Sequence, residues 1–460
     1  MGALTRTTTC ATALLLAGAV SAAAQDPAPA ADSTTAKASS IESLEQRVRI
    51  LERWLELERE AAAARAKTAA TLTVGADGAT WRAADQNFQL RLRGYLHEDA
   101  RYFDGDGHAG VNSFVLRRVR PVIEATAFRK YSLRLMPDFG GGGVVLQDAY
   151  IDMAFARSIN LRFGKFKPPV GLERLMSATG LPFVERAFPT SLVPNRDLGV
   201  QVSGEVLGGA LAYAGGAFNG ADDGSSADTD ANDHKELAAR LFLKPFVSGT
   251  GALRNFGLGI SATYGEQHGS ATAPGLAGYR TPGQNTFFSY LTNAQAAGTV
   301  VADGMRTRIV PQASLYLGRI SAIGEYVVAR HDLRMDTQLQ EIENRAWEVS
   351  TGYVLTGEDA TERGVRPASP FDPTDKKWGA LELTARVHAL SIDDTAFPLF
   401  ADPTRSAAAA RAWGVGVNWY LNQNVKFVVN YDRTTFDGGN ADGADRQRET
   451  AIFSRMQFAL

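Results

Sequence analysis

Residues 88–103 read FQLRLRGYLHEDARYF, and at their start apolar and polar side chains alternate: Phe88, Leu90 and Leu92 against Gln89, Arg91 and Arg93. Successive side chains of a strand point to opposite faces, so this segment has one apolar and one charged face. The same period returns near the other end of the chain. Trp413, Val415, Val417 and Trp419 alternate with Gly414, Gly416 and Asn418, and Val425, Phe427, Val429 and Tyr431 with Lys426, Asn430 and Asp432. Leu381, Leu383, Ala385 and Val387 alternate with Glu382, Arg386 and His388. Sixteen such runs are predicted, near 87–103, 112–128, 130–138, 145–156, 159–166, 198–206, 210–219, 236–246, 254–265, 305–317, 319–331, 344–356, 378–392, 411–420, 424–435 and 447–460.

An even number of strands suits a closed antiparallel barrel. The connections alternate as well: 157–158, 207–209 and 421–423 are tight, whereas 167–197, 220–235, 266–304 and 393–410 are long. Short turns at one end and long loops at the other are the pattern of an outer-membrane barrel. Parity places the stretch 357–377 at the short-turn end, which means either a miscounted strand or an unusually long turn. A soluble sandwich would cover each apolar face with a second sheet; tryptophans and tyrosines near strand ends fit interfacial girdles better. The expected fold class is therefore all-β, a transmembrane antiparallel 16-stranded β-barrel (87–460) with a short N-terminal α-helical coiled-coil segment. In the last strand Ile452, Ser454, Met456, Phe458 and Leu460 share a face, a pattern like the signal read by the outer-membrane assembly machinery. Phe458 and Leu460 would carry it, with Leu where such signals usually end in Phe.

The N-terminal stretch MGALTRTTTCATALLLAGAVSAAAQDP has one early arginine, an apolar core and a small-residue site, which predicts a signal peptide over 1–24. A small-residue linker over 25–40 is expected to be disordered. Ile41, Leu44, Val48, Leu51 and Leu55 then fall at spacings of three and four, an a/d seam that predicts a periplasmic coiled coil over 41–67 and hence an oligomer. A lone amphipathic helix on a partner surface is the alternative. Cys10 is the single cysteine and lies in the leader, so the mature chain has no disulfide and no thiolate chemistry. Removing Arg6 with the leader leaves 47 basic against 50 acidic residues, or −3. Residues 221–236 hold six acids and one lysine of that balance. The strand-like remainder is thus relatively basic, and the acidic stretch is expected to be an exposed, solvating loop.

No arrangement of an enzyme emerges, and no cofactor is expected. The six histidines are scattered, without HExxH or a Cys/His cluster, so no metal site is predicted. The run 140–143 lacks the GK[ST] of a phosphate loop. Asp104, Asp106 and His108 lack the glycine and closing glutamate of a calcium loop and read as a solvated turn. The coherent constellation is basic. Alternation carried inward places Arg91, Arg93, Arg118, Arg120, Arg134, Arg162 and Arg386 on the barrel wall, with Glu124, Asp138, Asp148, Asp152, Glu348 and Glu382. A wide aqueous lumen keeps such charges hydrated, and rings of basic side chains favour anions. Between them, 165–196 is rich in proline, too irregular for a central strand, and carries Lys165, Lys167, Arg174, Arg186 and Arg196. A loop folded into the barrel, narrowing it with basic groups, would explain both features.

Several long motifs stand in order along the chain: LRFGKFKPPVGLERLMSATGLPFVERAFPTSLVPNRDLGVQVSGE (161–205), GYVLTGED (352–359) with GVRPASPFDP, and WGALELTARV (378–387). They closely resemble the phosphate-selective porin O and P family over about 87–460. The resemblance implies trimeric sixteen-stranded outer-membrane barrels that pass phosphate or polyphosphate along an arginine-lined lumen. The expected function is passive diffusion of small anions, phosphate or pyrophosphate among them, in the outer membrane of a Gram-negative bacterium. The expected partners are membrane lipid and lipopolysaccharide, two further copies of the chain and the assembly machinery, with no nucleic acid. Two rival readings are a general pore for small solutes such as sugars, and a tether to the cell wall through the coiled coil.

Overall fold

A computed structural model describes residues 33–104, 110–230, 232–293 and 297–460. The expected leader, most of the expected linker, and Asp106 and His108 lie outside the described residues. Helix α1 spans Ser33–Thr68 and so takes in residues 33–40 of the stretch expected as a linker. Its a/d positions Ile41, Leu44, Val48, Leu51 and Leu55 are all exposed, an apolar seam with nothing of its own unit against it among the described residues.

The unit from Thr68 to Leu460 is a ring of sixteen antiparallel strands. They are β1 (Phe88–Asp104), β2 (Ser113–Ala127), β3 (Tyr131–Asp138), β4 (Val145–Ala156), β5 (Ile159–Phe166), β6 (Asp197–Val206), β7 (Leu211–Phe218) and β8 (Glu236–Leu243). The ring continues with β9 (Gly257–His268), β10 (Val300–Leu317), β11 (Ile320–Met335), β12 (Gln338–Val354), β13 (Ala380–Ser391), β14 (Ala407–Tyr420), β15 (Val425–Gly438) and β16 (Glu449–Ala459). Each strand pairs with its sequence neighbour, and β16 pairs with β1 from Thr450↔Asp104 to Ala459↔Tyr95. Closure removes the open sheet edges that lipid would not tolerate.

Alternation decides the two faces. Leu381, Leu383, Trp413, Val415, Val417, Ile452, Met456 and Phe458 are outward, most of them exposed, while His97, Arg118, Glu348, Glu382, His388, Asn418 and Asn430 are buried on the inside. Trp413 packs on Tyr431 at 5.5 Å between ring centroids. Near the short-turn end, Phe371, Trp378 and Trp419 cluster, with the Trp419 indole N–H donating to the Trp378 carbonyl at 2.7 Å. Such amphipathic rings belong at the level of lipid head groups.

The parity exception resolves in favour of a long turn. β12 pairs directly with β13, so no strand was miscounted, and residues 355–379 make an extended connection at the short-turn end. It has its own small core of Val354, Ala360, Val365, Ala380 and Tyr420. Sequence periodicity also overlooked a hairpin of two five-residue strands, Thr71–Gly75 and Gly78–Arg82, ahead of the barrel. Its second strand pairs with the first half of β1, Ala79↔Leu92 to Arg82↔Gln89, below the point where the Leu460 amide donates to the Gly94 carbonyl at 2.8 Å. Gly78 permits this approach: it sits at φ +90°, and a Cβ there would lie 2.2 Å from the Leu92 carbonyl oxygen.

Candidate functional site

The wall arginines of β1–β5 find carboxylates across the sheet. Arg93 grips Glu124 with two bonds of 2.6 and 3.0 Å. Arg134 bridges Glu124 (2.7 Å) and Asp148 (3.1 Å), and Arg120 donates to Asp138 at 2.7 Å. Arg162 holds Asp152 in a fork of 2.7 and 2.9 Å. Glu124↔Arg134 and Asp152↔Arg162 are direct cross-strand partners, the register at which opposite charges meet. Arg91 reaches the Asp77 carbonyl at 3.2 Å, with its carboxylate at 3.7 Å. Arg118 donates to the ring nitrogen of His97 at 3.3 Å and has no ion-pair partner among the described residues.

A register shift between β1 and β2 at His97 and Glu98 changes the inventory. Outward positions in β2 are even before it (Phe114, Leu116) and odd after it (Pro121, Ile123). A β-bulge thereby turns two adjacent residues inward, Arg117 as well as Arg118. Strict alternation hides this. Arg117 binds Glu185 with bonds of 2.6 and 3.2 Å, joined by Arg101 at 3.2 Å.

Glu185 belongs to the proline-rich connection 167–196, whose backbone is held by side chains of distant strands. Glu325 on β11 accepts from the Leu172 and Glu173 amides at 2.6 and 3.2 Å, which satisfies the first turn of the short helix α2 (Leu172–Leu175). Asn430 on β15 accepts from Val184 (2.7 Å), and His388 on β13 accepts from Phe188 (3.1 Å). Lys426 donates to the carbonyls of Leu181 (2.9 Å) and Thr179 (3.2 Å).

The cations of this connection bond differently from those of the wall. Lys167 donates to the carbonyls of Arg174 (2.7 Å) and Met176 (3.0 Å), and Arg186 to those of Glu173 (3.2 Å) and Met176 (2.9 Å). Arg174 donates to the Thr190 carbonyl and the Asn195 side chain. None of the three has a direct ion-pair partner among the described residues; the Glu173 carboxylate acts on Arg174 and Arg186 without a direct contact. Burial, reinforced by Arg186, Arg196 and Arg174, holds the Lys167 ammonium well below its ordinary value. Burial with Arg186 and Arg196 pushes Arg174 down to about 9, which leaves it protonated at neutral pH. Burial alone would raise Glu185, but Arg117 and Arg118 outweigh it and hold that carboxylate well below the usual range.

Wall and connection together enclose a cavity of about 1300 Å³ lined by thirteen arginine or lysine and five aspartate or glutamate side chains. Ten of the twelve basic residues singled out from sequence line it: Arg91, Arg93, Arg118, Arg120, Arg134, Arg162, Lys167, Arg174, Arg186 and Arg196. Two do not. Lys165 is buried against Asp228, and Arg386 is spent on the Glu185 carbonyl (2.6 Å) and Asp432 (2.9 Å). Sequence reasoning missed Arg117, Arg280 and Arg363. The last lies in the long turn that parity had flagged. Phe458 and Leu460 are both exposed at the barrel seam, Phe458 on the outward face and Leu460 at the rim of the cavity, which it helps to line.

The acidic stretch is not the exposed loop expected of it. Asp223 and Glu236 are buried and share Arg308, at 2.6 and 2.7 Å, while Glu236 also holds Arg306 at 2.6 Å. His331 adds a 3.1 Å contact to Asp223. Against the cost of burial, His331 and Arg308 hold the Asp223 carboxylate well below its ordinary range. Two of its six acids therefore neutralise the interior Arg306 and Arg308 of β10 rather than meeting solvent.

Comparison with known proteins agrees with this architecture. The profile described as phosphate-selective porin O and P matches residues 88–460. Porin O of Pseudomonas aeruginosa is 25% identical over 415 residues, covering 82% of this chain and 89% of that protein. Among solved structures, the outer-membrane channel DcaP of Acinetobacter baumannii aligns with a TM-score of 0.52 at 11% identity, covering 81% of this chain and 98% of that one. The anion-selective porin of Comamonas acidovorans aligns with a TM-score of 0.48 at 10% identity, covering 81% of this chain and 100% of that one.

Proposed function

The chain belongs to the phosphate-selective porin O and P family, an outer-membrane porin of the Gram-negative envelope and not an enzyme, and on that premise we propose that it passes small anions, phosphate and pyrophosphate or short polyphosphate among them. The observation that carries the proposal is the excess of thirteen basic over five acidic side chains around the cavity. Lys167, Arg174 and Arg186 supply the part of that charge that has no direct ion pair among the described residues, and the connection 167–196 acts as the constriction. Carbonyls hold these cations in place without cancelling them, so an entering anion meets an oriented positive field. The wall arginines offer it further weak sites, and guanidinium forks match phosphate oxygens. Release requires that each site be weak, which the neighbouring carboxylates ensure. Three copies assemble through the barrel, aided by the apolar seam of α1 as a periplasmic coiled coil. Outer-membrane lipid and lipopolysaccharide surround the barrel, and the assembly machinery reads the final strand through Phe458 and Leu460.

Planar-bilayer recording in a potassium chloride gradient tests selectivity. The expected reversal potential has the sign of chloride permeation, and added phosphate or pyrophosphate lowers the chloride current. A zero or cation-signed potential overturns the proposal. A general small-solute pore is the second reading, favoured by the pairing of Arg93, Arg120, Arg134 and Arg162 with carboxylates; it predicts weak selectivity and no phosphate block.

A further inference from the structure

At the long-loop end of β9, on the outer face of the ring, three side chains converge that the pore does not use. Glu266 and His268 are two residues apart on one strand and share a face, the outward one that Leu258, Ile260 and Tyr264 occupy below them. His234 joins them from the connection that leads into β8. Its Nδ1 lies 2.9 Å from Glu266 Oε2, and His268 Nε2 lies 3.9 Å from the same oxygen. One ligand atom from each of the three lies within 4.8 Å of the others. Tetrahedral zinc with bonds of about 2.0–2.1 Å sets its ligand atoms roughly 3.3 Å apart, between the two separations seen here.

A second observation concerns the far side of the imidazole. His268 Nδ1 lies 2.7 Å from Asp303 Oδ1, its cross-strand partner on β10, and Asp303 is itself anchored by Arg334. A carboxylate at Nδ1 fixes the tautomer whose free lone pair is on Nε2, the nitrogen facing Glu266 and His234. Metal-binding histidines characteristically have such outer support. Lys235, beside His234 in the chain, is engaged by Asp230 at 2.6 Å, so its ammonium is partly neutralised.

We propose that His234, Glu266 and His268 form a binding site for one divalent transition-metal cation of the zinc, nickel or copper class, with Asp303 positioning His268. Two imidazoles and one carboxylate suit these ions, whereas magnesium and calcium prefer all-oxygen sets. The three side chains are 42–50% exposed, so ions reach them from solvent and water completes the coordination. The proposal departs from the expectation of no metal site. The histidines look scattered because pairing of β8 with β9 brings them together, with no motif spacing to announce it.

Isothermal titration of the untagged full-length protein with zinc chloride in detergent tests the assignment. The expected stoichiometry is one zinc per chain. His268→Ala and His234→Ala abolish that binding step, and Asp303→Asn weakens it about 10- to 100-fold. Unchanged bilayer conductance verifies that the variants are folded, because none of these residues lines the cavity. Absence of zinc binding in the wild type, or wild-type binding by the His234→Ala/His268→Ala double variant, overturns the site.

Discussion

The cations around the cavity fall into two groups that differ in what holds them. On β1–β5 the guanidinium groups of Arg93, Arg120, Arg134 and Arg162 are each matched by a carboxylate on a facing strand. On the connection 167–196 the cations of Lys167, Arg174 and Arg186 lean on carbonyl oxygens. A carboxylate cancels a unit charge, whereas a carbonyl dipole only orients it. The first group therefore braces the wall, and the second sets the potential that a passing solute feels. Counting arginines without asking what accepts their hydrogen bonds would merge two different roles.

The largest expected effect comes from the second group. Lys167→Met with Arg186→Met should move the reversal potential in a salt gradient most of the way to zero. Each charge removed from about 8 Å at an effective dielectric near 20 is worth about 2 kcal/mol before screening, or roughly thirtyfold in local anion occupancy. If Arg93→Met matched this effect, the distinction between the groups would collapse. Glu124→Gln probes the other side. Freeing Arg93, and leaving Arg134 to Asp148 alone, should strengthen anion selectivity while lowering stability by about 1–3 kcal/mol, read as earlier heat-induced loss of the folded gel band.

Titration sharpens the contrast further. Because Lys167 is held below its ordinary value, its proton leaves earlier as pH rises. Anion selectivity should thus decline with rising pH well before the roughly 10.4 of an unperturbed lysine, and lose this dependence in Lys167→Arg. Glu185 behaves oppositely. Its lowered value means that its stabilising grip on Arg117 is fully present above the unfolded-state carboxylate range and is lost only as pH falls through the folded-state value. The smallest effect is expected from deleting 41–65. Unit conductance should stay within error of the wild type while the oligomer dissociates more readily on native gels.

Much of this was legible in the sequence, for a physical reason: lipid on one side and water on the other force a period of two. That period located all sixteen strands, with ends missed by as many as six residues (344 against Gln338), and put Arg91, Arg93, Arg120 and Arg134 on the correct face. It failed wherever the period breaks. The bulge beside His97 admitted Arg117, and the hairpin at 71–82 was too short to register. Other misses are tertiary. Nothing local distinguishes Arg386, committed to the Glu185 carbonyl and Asp432, from an arginine free to meet a solute. Nothing local shows that Asp223 and Glu236 answer Arg308 on a strand far along the chain.

The join between Gly94 and Leu460 bears on how the ring comes into being. The first strand must wait for a partner that lies almost the whole chain away, the most non-local pairing in the barrel and so the slowest kind of step in folding. The hairpin 71–82, adjacent in sequence, can occupy the lower half of β1 at once. Only the upper half then remains an exposed edge until β16 arrives. Truncating β16 would therefore leave two half-finished rims, and the predicted outcome is aggregation rather than a fifteen-stranded pore.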